Sequence, residues 1–307
     1  MKKTEFTYPS DDHKTQIHAI RWEPDGPAAG ILQISHGMVE YIGRYGEFAR
    51  YLCERGYVVT GNDHLGHGLS VTGDEMHGYF AKENGNRSVL RDIHKLREIT
   101  QEMYPGVPYF LLGHSMGSFL ARQYLCMNGK GMAGAVIMGT GYQPKAVTAL
   151  GMTLCRMIAS IAGWKCRSRL VDAMAFGSYN RKFGSPAGKE WLSRSEENVA
   201  AYVKDPWCSF RFTLNGYYNL FYSIHMLSDE EILDRMPKDL PVLFVSGDQD
   251  PVGQFGKGVQ KVCDTFRRKG MKDVTCRFYK DDRHEILNEI DREQVYEDIF
   301  RWMEYNR

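Results

Sequence analysis

The most constraining feature of this chain is the stretch at residues 108–117, which reads Pro-Tyr-Phe-Leu-Leu-Gly-His-Ser-Met-Gly. An apolar run typical of a buried strand leads directly into Gly-x-Ser-x-Gly, and apolar residues compatible with a helix follow. A turn this tight strains the serine backbone, and side chains two residues to either side would clash, so Gly113 and Gly117 are required. The pattern predicts that Ser115 projects its hydroxyl above a sheet edge, at the positive end of a helix. For the pentapeptide alone, an ordinary glycine-containing turn is the alternative.

Strand-length apolar runs alternate with amphipathic segments along most of the chain. An opening hairpin is predicted first, from residues 6–8 and 15–22. The predicted strands then lie at residues 30–35, 57–62, 108–112, 134–139, 241–247 and 274–279, and the predicted helices at residues 45–55, 88–104, 256–269 and 291–305. This alternation predicts an α/β fold, with a mostly parallel central sheet and helices on both faces.

The alternation lapses between residues 142 and 226, where helical periodicity and aromatic clusters occur without a convincing strand. The length of 307 residues is compatible with two domains, but also with one α/β unit that carries an insertion. We predict a core formed by residues 1–141 and 227–307, and a helical cap formed by residues 142–226. Ligands of such sheets bind beyond the carboxyl ends of the strands.

Composition excludes several classes of partner. The 39 Lys and Arg residues balance 38 Asp and Glu residues, so no nucleic acid or other polyanion partner is predicted. The basic N-terminus lacks the apolar core of a signal peptide, and no uninterrupted apolar run approaches the length of a membrane span. Seven scattered cysteines show no metal-ligand spacing, which predicts a cytoplasmic protein with reduced thiols and no metal.

A serine hydroxyl needs a base, and the base needs an orienting acid. On this kind of sheet, the expected chain order is Ser, then Asp or Glu, then His. Asp250 lies in the loop after the strand predicted at residues 241–247, and is the predicted acid. Asp248, nearer to the strand, is the alternative and is more typical of a turn cap. His284 follows the last predicted strand and is the predicted base.

An oxyanion would need two converging backbone N–H groups. Met116 supplies one, and Met38, in the turn after the first central strand, is predicted to supply the other. His36 in that turn is predicted to be structural. The segment at residues 63–70 resembles a phosphate-binding loop only superficially, because it lacks the lysine, and it is predicted to support the turn.

Together these segments resemble the α/β-hydrolase superfamily and, within it, the monoglyceride lipase and lysophospholipase-like serine hydrolases. The resemblance runs nearly from end to end. It rests on the motifs at residues 36–45, 63–70 and 113–117, on Gly-x-x-Asp ending at Asp250, and on the late His284.

The resemblance implies a catalytic triad of Ser115, Asp250 and His284, and an oxyanion hole formed by Met38 and Met116. It implies a helical cap over an acyl-chain pocket, no cofactor, and hydrolysis of a carboxylic ester through an acyl-enzyme. The implied substrate is a single-chain lipid ester, either a monoacylglycerol or a lysophospholipid.

This chain departs from the lipase pattern at three positions. Val39 and Tyr41 stand where the lipases usually carry Gly and His, and Ser118 replaces a common Gly. Since these positions touch the oxyanion loop and the pocket floor, they bear on the substrate more than on the chemistry.

Three aromatic residues, Tyr142, Tyr217 and Phe221, are predicted to line the substrate pocket, with core packing as the alternative for the aromatic cluster. The apolar segment at residues 149–164 is predicted to line an acyl channel, to make transient contact with a membrane surface, or simply to pack within the cap.

Two other functions share the fold. An amide hydrolase of the proline iminopeptidase type would need a pair of cap carboxylates to hold a free α-amino group, for which the pairs at residues 196–197 and 230–231 are candidates. A binding protein that has lost catalysis is the second alternative.

Overall fold

The computed structural model describes residues 1–184 and 188–307. Its eight strands are β1 (Lys2–Pro9), β2 (Gln16–Glu23), β3 (Gly30–Ser35), β4 (Tyr57–Asn62), β5 (Tyr109–His114), β6 (Gly134–Met138), β7 (Val242–Gly247) and β8 (Val274–Tyr279). They form one sheet in the order β1-β2-β4-β3-β5-β6-β7-β8. Strands β3 to β8 are parallel, and the hairpin β1–β2 joins β4 in antiparallel orientation. The predicted α/β fold is confirmed.

The described residues form ten α-helices, which are α1 (Gly46–Cys53), α2 (Gly85–Met103), α3 (Met116–Asn128), α4 (Lys145–Ala162), α5 (Arg169–Phe176), α6 (Glu196–Lys204), α7 (Leu214–Met226), α8 (Glu230–Leu233), α9 (Lys257–Arg268) and α10 (Arg292–Tyr305). Short 3₁₀ helices include Ile42–Tyr45, Glu190–Leu192 and Ile286–Asn288.

The central strands are apolar throughout because helices cover both faces of the sheet. Every residue of β3, β4, β5, β6 and β7 is buried. Helices α1 and α10 pack against one face, and α2, α3 and α9 pack against the other. Parallel strands buried in this way read as continuous apolar runs, which explains why the sequence locates them well.

The insertion between β6 and β7 is helical, and its described residues contain no strand. Helices α4 and α7 approach closely at Gly151, where a Cβ atom would lie 2.8 Å from the Phe221 ring. By length and composition alone, α4 could cross a membrane, and 28% of it is buried in the structure. Lys145 and Arg156 interrupt its apolar residues, so it is not an uninterrupted apolar run.

Candidate active site

The turn between β5 and α3 has the strained geometry that its sequence predicts. Ser115 has φ 52° and ψ −117°, a positive φ that is uncommon for a residue with a side chain. A Cβ atom at Gly113 would lie 2.4 Å from the carbonyl oxygen of Gly117, and one at Gly117 would lie 2.0 Å from that of Ser35. Both glycines are therefore needed for the close approach of the turn to β3.

His284 is paired with the predicted acid rather than with its alternative. The ring nitrogen Nδ1 of His284 lies 2.9 Å from Oδ2 of Asp250, and because a carboxylate only accepts, Nδ1 carries the proton. Both residues are buried. Asp248 instead accepts a hydrogen bond from the backbone N–H of Asp281 at 2.9 Å, as expected of a turn cap.

The imidazole of His284 lies among aromatic rings. The ring centroids of His114 and Trp191 are 4.8 Å and 5.1 Å away. Gly139, with φ 58°, comes so close that a Cβ atom there would lie 3.1 Å from Cε1 of His284. The ring is therefore confined by packing as well as by Asp250.

Ser115 and His284 both line one cavity of about 630 Å³ between the sheet edge and the cap. Within the described ranges their side chains form no hydrogen bond with each other. Such bonds are often long in an unliganded site and tighten when substrate is bound. The structure thus brings the three predicted residues to one place, with the His–Asp pair formed and the Ser–His pair open.

The two predicted oxyanion donors, Met38 and Met116, line the same cavity. Neither of their backbone N–H groups donates a hydrogen bond to any part of the chain that the structure describes. The neighbouring N–H of Gly37 is different, because it donates to Oε1 of Glu40 at 2.5 Å. Two unpaired donors beside a serine hydroxyl can stabilise an oxyanion.

Val39 has an unexpected backbone conformation, with φ 56°. This region strains a β-branched residue, and here it is adopted next to Met38 in the oxyanion turn. The hydroxyl of Tyr202, on cap helix α6, donates to the carbonyl oxygen of Val39 at 2.9 Å. The cap therefore helps to hold the turn that carries one oxyanion donor.

A buried ionic network lies beneath the oxyanion turn, and sequence reasoning missed its role. Oε1 of Glu40 accepts hydrogen bonds from the Tyr45 hydroxyl and from Nδ1 of His114, each at 2.9 Å. Burial alone would raise the pKa of Glu40, but the hydrogen bond and charge of His114, with the charge of Arg44, hold it below its ordinary value. Burial opposes the charged form of His114 as well, yet Glu40 raises the pKa of His114.

Arg44 links this network to the loop of His284. Its guanidinium donates to Oε2 of Glu40 at 3.0 Å, and to both carboxylate oxygens of Glu285 at 2.8 and 2.7 Å. The side-chain amide of Asn198, on α6, also donates to Glu285 at 2.8 Å. Three segments that are distant in sequence thus share one ion-pair cluster.

The segment at residues 63–70 supports the turn, as its sequence suggested. Nδ1 of His36 donates to the Gly37 carbonyl at 2.7 Å, and its Nε2 accepts from the backbone N–H of His64 at 2.9 Å. Asp63 accepts from the N–H groups of Ile42 and Leu69, at 2.8 and 3.0 Å. These contacts are structural.

Of the three predicted pocket residues, only Phe221 lines the cavity. Tyr217 is fully buried beside it, with the two rings stacked at 6.2 Å and the tyrosine hydroxyl bonded to Asp172. Tyr142 packs against the core with the ammonium of Lys261 3.7 Å from its ring centre. These two predictions are corrected, because packing and polar partners take up both side chains.

No group of three or more His, Cys, Asp or Glu residues that could hold a metal ion occurs in the described ranges. A second, open depression of about 700 Å³ lies between the β1–β2 turn and the start of α2. None of the predicted site residues lines it.

Comparisons with known proteins identify relatives along most of this chain. Monoglyceride lipase of Homo sapiens is 26% identical over 293 residues, covering 92% of this chain and 84% of that protein. Monoacylglycerol lipase of Mycolicibacterium smegmatis is 25% identical over 291 residues, covering 92% and 90%. The crystal structure of a thermostable carboxyl esterase from Bacillus coagulans, in complex with glycerol, aligns with a TM-score of 0.91 at 28% identity, covering 100% of this chain and 99% of that one.

These comparisons confirm the predicted resemblance to α/β-hydrolases related to monoglyceride lipases. The family model described as serine aminopeptidase, S33, matches residues 26–291, which is most of the chain. This protein therefore belongs to the serine aminopeptidase S33 family.

Proposed function

We propose that this protein is a serine hydrolase that cleaves carboxylic esters through an acyl-enzyme on Ser115. The observation that carries the proposal is the meeting of Ser115, the His284–Asp250 pair and two unpaired backbone N–H groups at one cavity. Family membership and relatives named as lipases and an esterase support the hydrolysis of an ester.

In the proposed reaction, Nε2 of His284 removes the proton of Ser115 as Oγ attacks the ester carbonyl. Asp250 keeps the proton on Nδ1 and stabilises the imidazolium that forms. The oxyanion lies against the N–H groups of Met38 and Met116, each worth about 2.7–4 kcal/mol of transition-state stabilisation. His284 then protonates the leaving alcohol, and afterwards activates the water that releases the acid.

The proposed substrate is a single-chain lipid ester, such as a monoacylglycerol or a lysophospholipid. The cavity of about 630 Å³ falls within the range of small-molecule sites. Apolar side chains of two cap helices line it, among them Val147 on α4, and Leu220, Phe221 and Ile224 on α7. An apolar wall of this kind suits an acyl chain.

The cap is also proposed to make transient contact with a lipid surface. Leu150, Met157 and Ile161 on α4 are 64%, 62% and 92% exposed. Since exposed apolar patches of this kind mark interaction sites, a membrane carrying the substrate is the proposed partner.

An amide substrate is the second candidate, because the family description names an aminopeptidase. The carboxylate pairs at residues 196–197 and 230–231 are exposed and do not line the cavity. Glu40 and Glu285 do line it, but both are engaged by Arg44. Asp172 is ion-paired with Arg211 at 3.5 Å. Among the described residues that line the cavity, no uncommitted pair of carboxylates is present to hold a free α-amino group, so the ester is favoured.

The test compares wild-type protein with Ser115→Ala, using the exposed cap serine variant Ser160→Ala as control. The substrates are p-nitrophenyl esters graded by chain length and matched aminoacyl p-nitroanilides. We expect ester turnover and fluorophosphonate labelling by wild type and the control, and a loss of about a thousand-fold or more in Ser115→Ala. Retained turnover in Ser115→Ala would overturn the mechanism. Preference for the anilides would establish the amide alternative, and absence of labelling in wild type would favour a binding protein.

A further inference from the structure

The cap segment at residues 190–194 lies against the loop that carries His284. The backbone N–H of His284 donates to the carbonyl oxygen of Trp191 at 3.4 Å. The next N–H, that of Glu285, donates to the carbonyl oxygen of Leu192 at 2.7 Å. The loop of the candidate base is therefore bonded, through its own backbone, to the cap.

Two arginines reinforce this contact in opposite directions. Arg283, in the loop, donates from its guanidinium to the carbonyl oxygens of Glu190 and Ser193, at 2.6 and 3.0 Å. Arg194, in the cap, donates from its guanidinium to Asp282 and, at 2.8 Å, to Asp291. Each segment thus places a cation on acceptors of the other segment.

Glu289 provides a third set of contacts between the cap segment and the loop. Its carboxylate accepts the backbone N–H of Arg194 at 3.0 and 3.1 Å, and the backbone N–H of Arg283 at 3.0 Å. The guanidinium of Arg194 also lies within ion-pair distance, with Nε 3.4 Å from Oε2. Since Arg283 is adjacent to His284, this carboxylate fixes the chain next to the imidazole.

The charges make Arg194 the centre of this contact. Asp282 and Glu289 are fully buried, and within the described ranges Arg194 is the one cation that forms an ion pair with either of them. Buried carboxylates require a partner, because burial without one is costly. Without Arg194, both buried carboxylates of this loop would lose the guanidinium that pairs with them.

We propose that Arg194 is a positioning residue of the cap, which holds the His284 loop so that the imidazole stays aligned between Asp250 and Ser115. This inference rests on the proposed function. It divides the cap into two parts: residues 190–198 support the candidate base, whereas α4 and α5 carry much of the exposed apolar surface and part of the cavity wall.

The test measures kcat and KM separately with p-nitrophenyl acetate, a substrate too short to depend on the acyl wall. The variants are Arg194→Met, Arg194→Lys and Arg283→Met. Arg169→Met is the matched control, because Arg169 is an exposed cap arginine at the start of α5. All assays are run well below the unfolding temperature of each variant, so that loss of activity does not report unfolding.

We expect Arg194→Met to lower kcat by about 10- to 100-fold with KM within about three-fold, because small displacements of a reacting group have effects of that size. Arg194→Lys should recover part of the loss, since it restores a cation without the second arm of the guanidinium. Arg283→Met leaves the ion pairs of Asp282 and Glu289 with Arg194 in place, so this variant should fold even if Arg194→Met does not. It should lower kcat without changing KM.

Wild-type kcat in both Arg283→Met and whichever Arg194 variants fold would overturn the inference, as would a change confined to KM. That result differs from failure of the proposed function, which would show as absent turnover in the wild-type protein itself.

Discussion

Glu40 offers the sharpest test of how the oxyanion turn is built. Its carboxylate accepts four hydrogen bonds, from Gly37 N–H at 2.5 Å, the Tyr45 hydroxyl at 2.9 Å, His114 Nδ1 at 2.9 Å and Arg44 Nη1 at 3.0 Å. Glu40→Gln keeps the shape of the side chain and one acceptor oxygen. It removes the charge, and it places an amide N–H₂ donor where either His114 or Arg44 also donates.

The size of the effect follows from burial. Glu40 and His114 are 3% and 4% exposed, so solvent screens neither of them. Removing one partner of a buried ion pair costs about 3–5 kcal/mol, and a hydrogen bond to a charged group contributes about 1.5–3 kcal/mol. Since Arg44 keeps Glu285 as a partner, we expect Glu40→Gln to lose about 3–5 kcal/mol of unfolding free energy at pH 7.

Activity should fall as well, because the bond from Gly37 fixes the turn that presents Met38. Loss of one oxyanion donor typically lowers kcat about 10²- to 10³-fold, and a displaced donor should approach the lower figure. Urea denaturation would measure stability, and ester hydrolysis would measure kcat. Glu47→Gln is the control, because Glu47 lies on the exposed side of α1 and pairs with the exposed Arg292 at 3.2 Å. A Glu40→Gln protein within about 1 kcal/mol of wild type, with unchanged kcat, would refute the reasoning.

Three further predictions test the fold, the pH response and the cap. Gly117→Ala should prevent folding or cost more than about 4 kcal/mol of unfolding free energy, because its Cβ atom would lie 2.0 Å from a backbone carbonyl oxygen. Gly46→Ala is the control: Gly46 has open space around it, so this variant should be neutral or stabilising when both are measured by urea denaturation. Burial and neighbouring carboxylates raise the pKa of Asp282 to about 7, so the folded state holds its proton more tightly, and stability should fall as the pH rises from about 4 towards 7. In Asp282→Asn, stability should fall less over this pH range. An equal change of the urea midpoint with pH in the variant and the wild-type protein would contradict the prediction. Ile161→Asp should weaken sedimentation with phosphatidylcholine vesicles without changing hydrolysis of a soluble ester, while Val203→Asp, at an exposed position on α6, should leave both unchanged.

The predicted triad residues could be located from sequence because each follows a strand, and parallel strands bring their carboxyl ends to one edge. The two predicted oxyanion donors, Met38 and Met116, lie in tight turns after β3 and β5, so the same rule places them at this edge. Asp250 was separable from Asp248 because the strand ends at Gly247, which leaves the later carboxylate in the loop.

Glu40, Arg194 and Glu289 could not be assigned in this way. A charged residue in a loop or cap usually lies in solvent, and only the approach of distant segments buries these side chains. The prediction that Tyr217 lines the pocket was wrong for a related reason. A cluster of aromatic residues in a helix does not show whether a given ring faces a cavity or a neighbouring helix. The periodicity of a sequence does not show which side chains from different helices, strands and loops will contact each other.

The backbone of Ser115 has a consequence for how this protein evolves. A positive φ costs a residue with a side chain about 1–3 kcal/mol, and glycine at the same place would avoid that cost. Lineages released from selection for turnover should therefore drift towards glycine here early, gaining conformational relief at the expense of the hydroxyl.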